Sequence, residues 1–163
     1  MIITIKYKSE PVEFIIDDDL FNIVNEYQWG AHKKNNTFYI KGYKKGFRKN
    51  CKFIYLHHLI IGKACQGYVV DHINRNPLDN RRQNLRFVTR SINGLNRDKE
   101  NWGISKKYDN KWRARIMVNG KHYDLGSFNC PKEAKKAYDN FKLKILDIAS
   151  WDMPNLILEN YTF

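Results

Sequence analysis

Cysteine is scarce. Cys51, Cys65 and Cys130 are the only three in 163 residues, too few and too scattered for a disulfide framework. No Cys-x-x-Cys pair offers a structural zinc of the cysteine type. Long apolar runs are missing too. Neither a signal-like stretch after Met-Ile-Ile-Thr-Ile-Lys nor a basic amphipathic anchor is present, which argues against a membrane-surface role and makes a reducing cytoplasm the expected location. Acidic residues are in deficit, 17 Asp plus Glu against 29 Lys plus Arg, for a formal charge of +12. Such a balance points to a polyanionic partner. What is abundant is core material. Hydrophobic residues make up 42% and aromatics 14%, enough for one compact domain or two small ones and for stacking.

The most informative stretch begins at Val69-Val70-Asp71-His72-Ile73-Asn74 and continues through Leu78-Asp79-Asn80-Arg81-Arg82-Gln83-Asn84-Leu85-Arg86 to residues 89–96. It reads as strand, tight polar loop, strand, helix. Val69 and Val70 are β-branched and suit a strand. Asn-Pro and Asp79-Asn80 mark the loop. Arg86-Phe87-Val88 gives a second short strand, and Thr89 is a good N-cap for a helix from Arg90. Asn93 then falls about one turn into that helix, with its side chain expected to face back toward the strand carrying Asp71 and His72. Asp71 and Asn93 offer the hard oxygen ligands that Mg²⁺ prefers. His72 is suited to take a proton from water near neutral pH. Arg81, Arg82 or Arg86 are placed to hold phosphate oxygens. An ordinary Asn- and Asp-rich turn is the plain alternative.

The ordered pattern Asp-His-Ile-Asn, Asp-Asn-Arg, Asn-Leu-Arg, Thr and Asn resembles the His-Asn-His (HNH) nucleases with a ββα-metal core, in the branch found in phage and intron homing endonucleases. The resemblance covers roughly residues 54–97. It implies that Asp71 and Asn93 hold a divalent metal, most often Mg²⁺ with Mn²⁺ as an alternative, and that His72 is the general base. It also implies that Asn84 braces the loop and orients that base. Many family members carry His where this chain has Asn93. In Tyr55-Leu56-His57-His58, His57 matches a family histidine near the active site, whereas His58 stands where arginine is common.

Upstream, residues 2–7 and 12–16 read as two strands. Asp17-Asp18-Asp19 is expected to cap a helix whose apolar face is Leu20, Phe21, Ile23, Val24 and Tyr27. Residues 29–33, 37–43 and 52–56 read as a small antiparallel set. Asn35-Asn36 is its first turn, and a basic connection with Lys44, Lys45, Arg48 and Lys49 is a candidate phosphate contact. The segment 55–62 turns from strand into a short helix ended by Gly62.

Beyond a wholly polar run at residues 96–101 the character changes. Residues 103–107, 111–118 and 121–128 form three strand-like pieces, with Asn119-Gly120 as a hairpin turn. A helix follows, opened by Pro131 and striped with Ala134, Ala137, Tyr138, Phe141, Ile145 and Leu146. Trp112, Ala114, Ile116 and Val118 alternate with Arg113, Arg115 and Met117. If the helix covers the first set, the arginines stand on the open face, where Arg pairs with guanine in the major groove. Gly-Ile-Ser, Lys-Trp-Arg-Ala, Leu-Gly-Ser-Phe and the Glu-Ala-x-x-Ala-Tyr-Asp helix resemble the APETALA-type, ethylene-response-factor-like DNA-binding domain over about residues 102–147. The resemblance implies groove reading by Arg113, Arg115 and Trp112. Lys106 and Lys107 replace the first-strand arginine, and lysine is a weaker base reader.

The expected fold class is therefore α+β. A ββα-metal nuclease core with an N-terminal β-rich extension (residues 1–98) is joined by a linker (99–101) to a three-stranded antiparallel sheet plus helix that binds DNA (102–150). A C-terminal tail follows (151–163). The expected activity is metal-dependent hydrolysis of double-stranded DNA by a homing or freestanding phage-type endonuclease, with one site per chain giving a nick. The protein would act as a monomer or homodimer in a bacterial or phage-infected cell, with no membrane and no evident protein partner. A DNA-binding regulator with a vestigial nuclease fold is the alternative, and a ribonuclease the third reading, disfavoured because a major-groove reader has no use on A-form RNA.

Overall fold

A computed structural model describes residues 1–34, 37–46, 52–97, 103–107 and 109–151. Asn35-Asn36, Arg48, Lys49, Cys51, the expected linker, Trp102 and residues 152–163 of the tail lie outside them. The chain is a mixture of small antiparallel sheets and short helices, the α+β class expected. It divides into two compact units, Met1–Phe87 and Val88–Phe163.

In the first unit, β1 (Ile2–Tyr7) and β2 (Glu10–Ile15) form a hairpin. Val12 and Phe14 alternate inward to join Ile16, Leu20, Val24, Ile40 and Leu56 in one core. After a single 3₁₀ turn, Asp18–Leu20, comes α1 (Phe21–Asn25). The three aspartates do not cap it: Asp17 stands at the N-cap position but makes no side-chain cap bond. Instead Asp17 accepts from the Arg82 backbone N–H at 2.8 Å, Asp19 accepts from the Arg82 guanidinium at 2.9 Å, and Asp18 accepts from the N-terminal ammonium at 2.5 Å. Donors brought in by the fold, a backbone N–H for Asp17 and charged groups for Asp18 and Asp19, take the place of the local helix amides.

β3 (Tyr27–Lys34), β4 (Thr37–Lys44) and β5 (Ile54–Tyr55) form a second antiparallel sheet. β5 keeps only two residues of the strand expected at 52–56. One face of this sheet, with Trp29, Ala31 and Ile40, packs on the core. The chain then turns directly into α2 (Leu56–Ile61), which sends Leu56 and Ile60 to the same core. Gly62 ends α2 with φ +86°, a conformation glycine adopts without a Cβ penalty.

β6 (Tyr68–His72) pairs with β7 (Leu85–Thr89). The loop between them is stitched to β2: Ile15 N–H donates to the Leu78 carbonyl at 2.7 Å, and Asn80 N–H donates to the Ile15 carbonyl at 2.8 Å. The N-terminal hairpin thus anchors the loop that carries the candidate site.

The division between the units falls inside β7, about ten residues before the expected linker. In the second unit, Thr89 caps α3 (Arg90–Leu95), accepting from the Ile92 N–H at 3.3 Å and donating to Asn119 at 2.6 Å. β8 (Ile104–Lys106), β9 (Trp112–Val118) and β10 (Lys121–Phe128) make a three-stranded sheet with β9 central. Asn119 and Gly120, at φ +49° and +79°, form its two-residue turn. α4 (Pro131–Trp151) starts at the expected proline. Ile116, Val118, Tyr138 and Leu95 form the second core, with Ile92, Phe141, Ile145 and Leu146 packed against it. Gly103, at φ +79°, is a close approach: a Cβ there would sit 2.1 Å from the Tyr138 ring and 2.6 Å from the Arg115 carbonyl. Among the described residues no helix is long and apolar enough to cross a membrane.

Candidate active site

Burying a polar group costs free energy unless it is hydrogen-bonded, so buried polar side chains are few and informative. Among the described residues they are His57, Asp71, His72, Asp79, Asn80, Asn84 and Arg86. All belong to α2, β6, β7 or the loop between the two strands. No other part of the described chain buries polar groups in this way.

The loop is built on side chains acting as backbone partners. Asn84 accepts from the Asn74 backbone N–H at 2.9 Å and donates to the Asp79 carbonyl at 2.7 Å, closing the loop across its mouth. Asp79 receives a fork from Arg81, Nε at 2.8 Å and Nη2 at 2.7 Å, and a further bond from the Asn74 amide at 2.8 Å. The Arg81 side chain holds the Asp79 carboxyl below its ordinary value of 3.8, so it is ionised at neutral pH.

His72 ends β6. Its Nε2 lies 3.4 Å from Asn80 Oδ1, and Asn80 is itself oriented by donating its amide to the Pro77 carbonyl at 3.1 Å. With the Asn80 oxygen toward the ring, Nε2 is the N–H and Nδ1 carries the lone pair. Burial pushes the His72 pKa down, against the pull of Asn80, Asp71 and Asp79. The ring is neutral at physiological pH and able to accept a proton.

Asp71, one residue earlier on β6, is buried and ion-paired with Arg86 of β7. Nε and Nη2 both reach Oδ2, each at 2.9 Å. Arg86, a candidate for phosphate contact from sequence, is therefore buried against a carboxylate. Arg81 and Arg82 are the exposed ones, with side chains about half accessible and carboxylate partners of their own, Asp79 for Arg81 and Asp17 with Asp19 for Arg82.

His57 of α2 packs on this centre. Its ring is 5.4 Å from that of His72 and perpendicular to it, 5.3 Å from Tyr55 in a stack, and 4.5 Å from His58. Burial, with smaller effects of His58 and His72, lowers its pKa from 6.5 to about 3. A ring held neutral so far below neutrality is a packing and orienting group, not a proton donor at pH 7.

The expected second metal ligand, Asn93, lies on α3 in the other unit. There too are the expected groove readers. Lys106 and Lys107 are exposed, Trp112 is half-buried, and β9 alternates as expected, with Ala114, Ile116 and Val118 buried and Arg115 and Met117 exposed. Arg113 is tethered, its Nε donating to Asp124 of β10 at 2.9 Å.

Asn74, Asp79 and Asn80 stand in the ordered sequence pattern as loop residues and Tyr55 as a strand residue, with no role in the site assigned to any of them. Asn and Asp between two strands are turn formers first. Only the burial of Asn80, 1% exposed, separates it from a loop marker.

Within the first unit the Asp71 carboxylate is the hard oxygen donor of the kind Mg²⁺ prefers. Among the described residues no three His, Cys, Asp or Glu side chains gather.

Residues 55–95 match the family model described as HNH endonuclease, the stretch from Tyr55 through β6, β7 and α3. A protein of Acanthamoeba polyphaga mimivirus, described as an uncharacterized HNH endonuclease, is 29% identical over 123 residues, 74% of this chain and 64% of the relative. The chain thus spans slightly less than two thirds of that relative's length. No solved structure matches.

Proposed function

We propose that the protein is a metal-dependent endonuclease that hydrolyses phosphodiester bonds of double-stranded DNA, nicking one strand per active site. The observation that carries this reading is the neutral, buried His72, with its Nε2 side taken by Asn80, next in sequence to a buried carboxylate. His72 Nδ1 accepts the proton of the attacking water. Asn80 and His57 hold the imidazole in the tautomer and orientation this needs. Asp71 and, from its place in the motif, Asn93 hold the divalent cation, Mg²⁺ or in its place Mn²⁺. When bound, that ion supplies Lewis acidity at the phosphate and stabilises the departing oxygen. Arg86 fixes the Asp71 carboxylate, and Asn84 fixes the loop that carries Asn80.

Arg81 and Arg82 are the phosphate-facing cations of the first unit, exchanging carboxylate partners for phosphate oxygens on binding. In the second unit the β8–β9–β10 sheet, with Lys106, Lys107, Trp112, Arg113 and Arg115, docks in the major groove in the manner of an ethylene-response-factor-like domain. The homing or freestanding phage type, action in a bacterial or phage-infected cytoplasm, and a monomeric or homodimeric state complete this reading. The charge of +12 makes binding steeply salt-dependent.

The Arg86–Asp71 pair favours a second reading. A carboxylate already neutralised by arginine is a poorer cation ligand, as in a DNA-binding regulator with a vestigial nuclease fold. One assay separates the two. Supercoiled plasmid and structured RNA are each incubated with Mg²⁺ or with chelator, using the parent protein and His72→Ala. Plasmid nicked only with metal and only with His72 supports the endonuclease. Intact plasmid with a tight gel shift overturns it in favour of the regulator, and preferential RNA cleavage overturns it in favour of a ribonuclease.

A further inference from the structure

The face of the β3–β4–β5 sheet turned away from the core is organised in three rungs. The pairing of Gln28 with Tyr43, Gly30 with Lys41, His32 with Tyr39 and Lys41 with Tyr55 sets their order. Ring contacts extend the rungs to Phe53 and His57: Tyr43 lies 6.0 Å from Phe53, and Tyr39 lies 6.4 Å from His57. The rungs therefore read Gln28–Tyr43–Phe53, Gly30–Lys41–Tyr55 and His32–Tyr39–His57. Each carries aromatic or imidazole rings, and the middle one carries an ammonium group. Lys41 Nζ stands 5.0 Å from the centre of the Phe53 ring. Phe53 itself is 63% exposed. Gly30 leaves its position beside Lys41 without a side chain.

Two properties of this face select its partner. The first is charge. By the same alternation this face carries Lys34 and Lys41, and its strands, residues 27–34, 37–44 and 52–55, contain not one Asp or Glu. The second is that rings flank an ammonium group, Lys41 lying between the Tyr43–Phe53 and Tyr39–His57 rungs. Aromatic faces gain from stacking only on bases whose own faces are accessible, and in a duplex those faces are hidden between neighbouring pairs. A groove-binding surface would offer hydrogen-bonding side chains to base edges instead. Tyrosine and phenylalanine with interspersed lysine suit unpaired bases and the phosphates between them.

We propose that this sheet face is a docking surface for an unpaired DNA strand, led by its third rung toward the candidate active site. His57 ends that rung, and its ring lies 5.4 Å from that of His72. The inference deepens the endonuclease reading and rests on it for its place in the reaction. The substrate is then DNA with an unpaired segment beside the bond that is cut, such as an opened duplex or a strand end. The binding step itself requires neither cleavage nor metal.

The test is fluorescence anisotropy on the full chain in chelator, with a labelled DNA strand of about ten mixed-sequence nucleotides, the same sequence as duplex, and the same sequence as RNA. Phe53→Ala weakens single-stranded DNA binding about tenfold while duplex binding moves less than about twofold, and Phe53→Tyr restores it. Tyr43→Ala, checked for folding by its melting curve, gives the same selective loss. Unchanged single-strand binding in Phe53→Ala overturns the proposal whatever Tyr43→Ala does, because an exposed ring is lost without disturbing the core. Equal losses on strand and duplex overturn it, and so does a loss confined to RNA. His72-dependent plasmid nicking alongside unchanged strand binding would remove this proposal and leave the endonuclease standing. A selective Phe53 effect without any nicking would do the reverse.

Discussion

Acidification should destabilise the first unit through His57 more than through any exposed histidine. Its pKa is about 3 in the folded protein and 6.5 in the unfolded chain. Between those values the unfolded chain takes up a proton that the folded one refuses, so stability is full above about pH 6.5 and falls as pH drops toward 3. Each pKa unit corresponds to about 1.36 kcal/mol. At about pH 5, roughly 1.5 units below the unfolded value, the loss from this one side chain is about 2 kcal/mol. The groups facing His57 are His58, His72, Tyr39 and Tyr55. Burial also lowers the pKa values of His58 and His72, so they act with the same sign. His57→Phe keeps a flat ring against Tyr55 and removes the titration. The measurement is urea denaturation at about pH 7 and about pH 5, read by pulsed hydrogen exchange on peptides from residues 56–72, which report the first unit alone. The parent should lose about 2 kcal/mol more than His57→Phe between the two conditions. Equal losses would mean that the His57 ring reaches water in the folded state and that the burial argument is wrong.

Two further outcomes follow from buried geometry. Arg86→Ala strips the Asp71 carboxylate of its guanidinium in a site almost closed to water and should cost about 3–5 kcal/mol in the same urea measurement; a loss below about 1 kcal/mol would show that Asp71 is solvated. Gly103→Ala forces a Cβ into the Tyr138 ring at a left-handed backbone position and should lower the stability of the second unit by about 2–4 kcal/mol, seen as an earlier calorimetric transition. An unchanged transition would contradict the packing of α4 on Gly103.

Local chemistry made parts of this structure readable from sequence. Thr89 caps α3, Asn119-Gly120 turns the β9–β10 hairpin, Gly62 ends α2 and Pro131 opens α4, because each depends on the residue and its nearest neighbours. The two-residue period of β9 sorted Ala114, Ile116 and Val118 from Arg115 and Met117 for the same reason. Long-range pairing was not readable. Asp17 and Asp19 look like helix caps until Arg82 arrives from more than sixty residues away. Arg86 looks like a phosphate ligand until β7 lies beside β6 and presents it to Asp71. The allegiance of α3 was hidden as well: Ile92 and Leu95 mark an apolar face, but a periodic stripe does not say which core it enters.

The place of α3 in the second core bears on any attempt to take the protein apart. A fragment begun at the polar run near residue 100 would leave Ile92 and Leu95 behind, along with the Thr89 and Ser91 hydroxyls that hold Asn119. It would carry the whole β8–β9–β10 sheet and α4 yet expose part of its own interior. The boundary between the units lies within β7, and a strand is a poor place to cut.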